Sequence, residues 1–158
     1  VTKALLIRTN GQHQVLDLPQ DDSYEIIKEA VGGWLDTVSN ETGSIVGYLH
    51  DEGLLIGLPV NVVATMLFQM PLVGDIVLVG GLDKDGNYDG ENHDLDPKFF
   101  DEGYLSWLSF ISTNELVIGR LNDEIAGMDL SPKVFALTDD EMGKYLSTGE
   151  LPAEPEVL

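Results

Sequence analysis

The apolar positions of the chain fall into short, well separated blocks. Residues 3–9 (KALLIRT) form an apolar run with a basic end, and the Asn10-Gly11 pair behind it is a strong hairpin-turn signal. His13, Val15 and Leu16 continue into a second strand that ends at Leu18-Pro19. Asp22 and Glu25 then have the spacing of a capping box, and Tyr24, Ile27 and Val31 recur at i, i+3 and i+7, one face of a helix. Gly32-Gly33 stops that helix, since glycine enters a left-handed C-cap cheaply. Residues 34–39 (WLDTVS) alternate as a half-buried strand does. Residues 44–50 (SIVGYLH) and 54–57 (LLIG) read as two more strands, separated by turns at 40–43 and 51–53.

The longest apolar stretch, residues 57–81, follows. Pro59 suits a turn or a first helical position, and residues 61–69 predict a short helix weakened by the stiff side chains of Val62 and Val63. Gly74-Asp75 is a turn, and IVLVGG (76–81) is a strand apolar on both faces. Asp96-Pro97 starts a helical turn through Phe99 and Phe100. Residues 104–112 (YLSWLSFIS) and 115–121 (ELVIGRL) read as two strands around Thr113-Asn114. KVFAL (133–137) is a last strand, and Thr138 with Glu141 caps a final short helix.

These blocks predict an α+β fold: a mainly antiparallel sheet, one amphipathic helix on a face, short helical segments and a short C-terminal helix. One domain over residues 1–150 is expected, with residues 151–158 as a flexible tail.

Composition adds one strong deviation. The 158 residues carry 28 Asp and Glu against 8 Lys and Arg, a net charge of −20. Such a surface repels phosphates and anionic membranes, so direct nucleic-acid binding is excluded and basic proteins become the favoured partners. The chain has no cysteine, which removes disulfides, thiolate nucleophiles and the usual zinc sites. Residues 53–74 are uncharged, but Pro59, Asn61, Gln69 and Pro71 interrupt them and their flanks are acidic, so no membrane span is expected. The opening residues lack a secretion-signal pattern, and a cytoplasmic protein is expected.

The pieces KALLIRTNG, EAVGGWLDTV, GLPVNVVAT, VGDIVLVG and FALTDDEMGKYL, in this order, resemble a small domain-of-unknown-function family common in phage, plasmid and other mobile-element genes. Family members pass almost directly from the VLVG-like strand to the closing FALTDDEMGKYL-like strand and helix, which makes residues 83–132 an elaboration of this chain. The resemblance implies a small α+β fold and a mobile-element origin, and it brings no catalytic role or cofactor.

Two candidate sites lie in that elaboration. Asp85, Asn87, Asp89 and Gly90 match positions 1, 3, 5 and 6 of a twelve-residue calcium loop, with Asp96 at position 12. Asn92 stands where an aliphatic residue pins such a loop, and Asp96 is shorter than the bidentate Glu. An acidic turn between strands is the competing reading. Beside it, Phe99, Phe100, Tyr104, Trp107 and Phe110 cluster next to Asp94, Asp101 and Glu102. Those that are not core would form an anchor-plus-charge surface for a basic protein or for a second copy of the chain.

Catalytic constellations are thin. His13, His50 and His93 have no metal-ligand spacing, and there is no GxSxG, phosphate loop or GxGxxG. The expected function is therefore a non-enzymatic accessory protein acting on a host protein, with DNA mimicry towards a basic DNA-handling partner as its most specific form. A calcium-binding module is one alternative, and an enzyme without a recognisable motif is another.

Overall fold

Central strands of the sheet are apolar on both faces because both faces are covered. The structure, a computed structural model, describes residues 1–128, 135–136, 138–149 and 156–157. The chain divides into two compact units, Val1–Met128 and Asp129–Leu158.

In the first unit, strands β1 (Thr2–Ile7), β2 (His13–Leu18), β3 (Leu35–Ser39), β4 (Ile45–His50) and β5 (Ile76–Gly80) form one antiparallel sheet in the order β2-β1-β5-β4-β3. Helix α1 (Ser23–Val31) lies on one face, where Ile27 and Val31 pack with Ala4, Leu6, Leu18, Val77 and Val79. Helix α2 (Val62–Phe68), a 3-10 turn at Pro97–Phe100 and helix α3 (Glu102–Ser112) cover the other face. Their Val63, Phe68, Phe99, Leu105 and Leu108 meet Leu5, Ile7, Ile76 and Leu78 of the sheet. The period of two therefore splits β1 and β5 cleanly between the two cores. Helix α4 (Glu115–Ala126) follows α3 and has no buried residue.

Residues 104–112 and 115–121, expected as strands, are helical. Their aromatic and β-branched content favours strands, but capping and packing decide otherwise. Asp101 accepts the Tyr104 N–H at the start of α3, and Leu105, Leu108 and Ser112 form its buried stripe at i, i+3 and i+7. Asn114 accepts from the N–H groups of Leu116 and Val117 at the start of α4. Residues 54–57 form no strand either. The Ile56 N–H reaches the Glu52 carbonyl and the Leu58 N–H that of Gly53, so the chain is wound into turns that end at a left-handed Gly57. Asp22 does occupy the N-cap of α1, but in the left-handed region and without a side-chain cap bond, so no capping box forms there.

The second unit is described by itself. Strand β6 (Phe135–Ala136) pairs antiparallel with strand β7 (Glu156–Val157), inside the segment expected as a tail. The rest of the expected strand at 133–137, like residues 151–155, lies outside the described residues. Helix α5 (Asp139–Thr148) carries the expected capping box in full: Thr138 N–H donates to Glu141 Oε1 at 3.0 Å, and Glu141 N–H to Thr138 Oγ1 at 3.2 Å.

The glycines that close β5 are set by close backbone approach. A Cβ on Gly81 would overlap the carbonyl oxygen of Gly43, and one on Gly80 the carbonyl oxygen of Asp94. Gly81→Ala is expected to cost about 1–3 kcal/mol, the usual range for overpacking, because the obstacle is backbone and cannot rotate away. Urea unfolding checks it, and a loss within error of zero would contradict the packing described.

Candidate interaction surface

From β5 the chain runs through an acidic loop and returns to the sheet. Gly80 and His93 exchange backbone hydrogen bonds at 2.8 and 2.9 Å, and Leu95 N–H donates to the Lys3 carbonyl at 3.0 Å. This return drops Leu95 and Phe99 into the core. Pro97 starts the 3-10 turn, whose Asp96 cap accepts the Lys98 N–H at 3.0 Å. Asp101 ends this turn and caps α3 at once, so the cap of α3 lies two residues after the buried Phe99.

The aromatic cluster is thereby divided. Phe99 is fully buried and meets Tyr104 edge to face, with ring centroids 5.4 Å apart. Phe100 and Tyr104 are half-buried, and the Lys3 ammonium sits 4.9 Å from the Phe100 ring centre. Burial pushes the Tyr104 hydroxyl above its ordinary pKa, and the nearby Asp96 carboxylate adds to the shift. Trp107, 6.1 Å from Tyr104 by ring centres, is 51% exposed, and Phe110 one turn further is 71% exposed. Leu116 at the start of α4 is exposed as well.

Of the expected interaction residues, Trp107 and Glu102 face solvent, while Phe99 belongs to the core. Asp94 and Asp101 are engaged: Asp94 Oδ1 accepts the Lys3 N–H at 2.7 Å, and Asp101 is the α3 cap. Phe110, counted in the expected aromatic cluster, is among those that are not core, whereas Leu116 was not singled out. The i, i+3 spacing that puts Trp107 and Phe110 on one side is legible only once the segment is read as a helix.

The residues matched to a calcium loop do not converge. Asp83, outside the matched set, organises the loop: its Oδ1 accepts the N–H groups of Asp85 and Asn87, each at 2.9 Å. Asp89 faces His93, whose Nε2 lies 2.8 and 2.9 Å from its two oxygens. That hydrogen bond, then the one from the Glu91 N–H, holds the Asp89 carboxyl below the usual carboxylate range. Asp96 caps the 3-10 turn. Among the described residues, no group of three or more Asp, Glu or His side chains is gathered to hold a metal ion. His50 Nδ1 accepts the Glu52 N–H at 3.0 Å and lies 3.7 Å from Asp51 Oδ1. No described helix is long and apolar enough to cross a membrane.

No curated protein and no solved structure matches the chain. The family model of a domain of unknown function (DUF3846) matches residues 2–102. That span takes in the five-stranded sheet, α1, α2 and the 3-10 turn, and it stops where α3 begins. The motifs from KALLIRTNG to VGDIVLVG lie inside it, as do residues 83–102 of the acidic return, whereas FALTDDEMGKYL lies beyond it. Trp107, Phe110 and α4 are thus carried on a segment that follows the matched core. The chain belongs to the DUF3846 family.

Proposed function

We propose that the protein is a non-enzymatic accessory protein of a phage or other mobile element, acting in the host cytoplasm by binding a host protein. One observation carries this reading: Trp107 and Phe110, one turn apart on α3, are exposed, on a helix that starts at Asp101 and Glu102 and is followed by Glu115 at the start of α4. Burying a large apolar side chain is worth roughly 1.5–3 kcal/mol, so two such rings one turn apart are anchors awaiting a pocket. The surrounding charge selects the pocket. A chain of net charge −20 draws basic surfaces, and proteins that grip DNA present the most basic ones. In its most specific form the protein is a decoy whose carboxylates occupy a groove built for phosphates. The mobile-element setting rests on the sequence resemblance and not on the geometry.

The test is affinity capture from the presumed host, comparing the wild type with W107A/F110A. The expected result is a set of basic DNA-handling proteins released by ~0.5 M salt, as a screened electrostatic contact requires. The double variant should lose about a hundredfold in affinity, the scale of two central anchors, with an unchanged melting temperature. Equal capture by both proteins would contradict the assignment of α3.

A further inference from the structure

The sheet ends in two edge strands, and they are treated differently. On the β3 edge, Asn40 N–H donates to Ile45 O and Asp51 N–H to Trp34 O. By alternation, the backbone groups of residues 34, 36, 38 and 40 face β4 and those of Leu35, Thr37 and Ser39 face outward. The outward Thr37 N–H is already taken by Asp36 Oδ1 at 2.8 Å, which blunts that edge as charged side chains commonly do.

The β2 edge has no such guard. Arg8 N–H donates to Gln12 O at 2.8 Å, which sets Gln14, Leu16 and Leu18 toward β1 and leaves His13, Val15 and Asp17 pointing outward. Among the described residues no strand pairs with the outer side of β2, and Val15 is 43% exposed. Residues 1–20 are also spared the general acidity, with Lys3 and Arg8 against a single acid, Asp17.

We infer that this edge pairs with β2 of a second copy, antiparallel about a two-fold axis through Val15. In that register every outward N–H of one copy meets an outward C=O of the other. The side chains then match as well. Val15 meets Val15 at the axis, and His13 of each copy lies opposite Asp17 of the other, a cross-strand pair of complementary chemistry. A two-fold contact requires such self-complementarity, and the sequence HQVLDL supplies it about its third residue. The matched side chains lie on the sheet face shared with Leu5 and Ile7, so the apolar layer continues across the axis. The contact runs along the β2 backbone and uses neither Trp107 nor Phe110, so the inference stands whether or not those rings bind a host protein.

Two chains of net charge −20 repel at long range, so screening strengthens this pairing, the opposite of its effect on a basic partner. Sedimentation equilibrium over a concentration series at ~0.05 and ~0.5 M NaCl is the test. A monomer–dimer equilibrium that tightens about tenfold at the higher salt is expected. In V15P the proline removes only the outward donor, a position an edge strand tolerates, so the melting temperature holds while dimerisation weakens about tenfold or more. H13D sets carboxylates opposite one another and weakens the dimer, and H13D/D17H restores it by exchanging the partners. Monomer at every concentration and both salts would overturn the proposal. So would dimers that neither V15P nor H13D weakens. Should V15P fail to fold, the H13D and H13D/D17H pair decides alone.

Discussion

Phe99→Ala is expected to lower the unfolding free energy of the Val1–Met128 unit by about 3–5 kcal/mol, the usual range for deleting a buried phenyl ring. Phe99 is completely buried and packs in the cluster that joins Leu5, Ile76 and Leu78 of the sheet to Phe68 of α2 and Leu105 of α3. Its ring also takes the edge-to-face contact with Tyr104, the first aromatic residue of α3. The 3-10 turn holding it is fixed at its start by the Asp96 carboxylate and at its end by the Asp101 N–H donating to the Lys98 carbonyl, so the backbone cannot collapse cheaply into the cavity. Domain stabilities are commonly about 5–15 kcal/mol, so the loss would be a large part of the total. Denaturant unfolding measures it directly. A loss below about 1 kcal/mol would mean that α3 is not anchored through this ring.

Asn61→Ala should cost about 3 kcal/mol or more, although it deletes only one small polar group. The Asn61 side chain is buried and fully used. Its Nδ2 donates to the carbonyls of Ile7 at 3.1 Å and Gly74 at 3.0 Å, and its Oδ1 accepts the Ala64 N–H at 3.1 Å. It thus ties the end of β1, the turn before β5 and the start of α2 into one junction. Alanine leaves the Ala64 N–H without its cap and takes one donor each from the Ile7 and Gly74 carbonyls in the interior, at roughly 1–3 kcal/mol for each group left without a partner. Asn61→Asp is the sharper experiment. It keeps the cap on Ala64 but aims a carboxylate at two carbonyl oxygens, which raises the folded-state pKa above the unfolded value near 4. Such a group weakens the fold as pH rises through that range and hurts least when protonated. N61D should be at least as unstable as N61A at neutral pH, with a deficit that shrinks toward about pH 5. A deficit independent of pH would contradict the geometry of the junction.

Much of the matched core was legible in the sequence because local and long-range signals agreed there. Asn10-Gly11 makes the β1–β2 hairpin with Gly11 left-handed, Gly32 ends α1 in the same region, and the short helix expected over 61–69 forms as α2 with Asn61 as its cap. The all-apolar IVLVG became a strand buried at every position. Failures began where they disagreed. In residues 104–112 the aromatic content suggested alternation, which would have placed Phe110 with Tyr104 and Leu108, and Trp107 with Leu105. Helical winding instead turns Leu105, Leu108 and Ser112 inward and Trp107 and Phe110 outward. The residue types at the surface were thus read from the sequence, but their sidedness was not. Asp83 escaped notice because a turn anchor needs no spacing motif, only two N–H groups folded back toward it.

The acidity that dominates the composition and the anchors that emerge on α3 meet in one measurement. With a captured DNA-handling protein purified, its binding to a labelled DNA duplex is titrated with the wild-type protein and with W107A/F110A. Displacement of the DNA by the wild type, weakened about a hundredfold in the double variant, is the predicted result. DNA binding left untouched by the wild type, or displaced equally by both proteins, would contradict it.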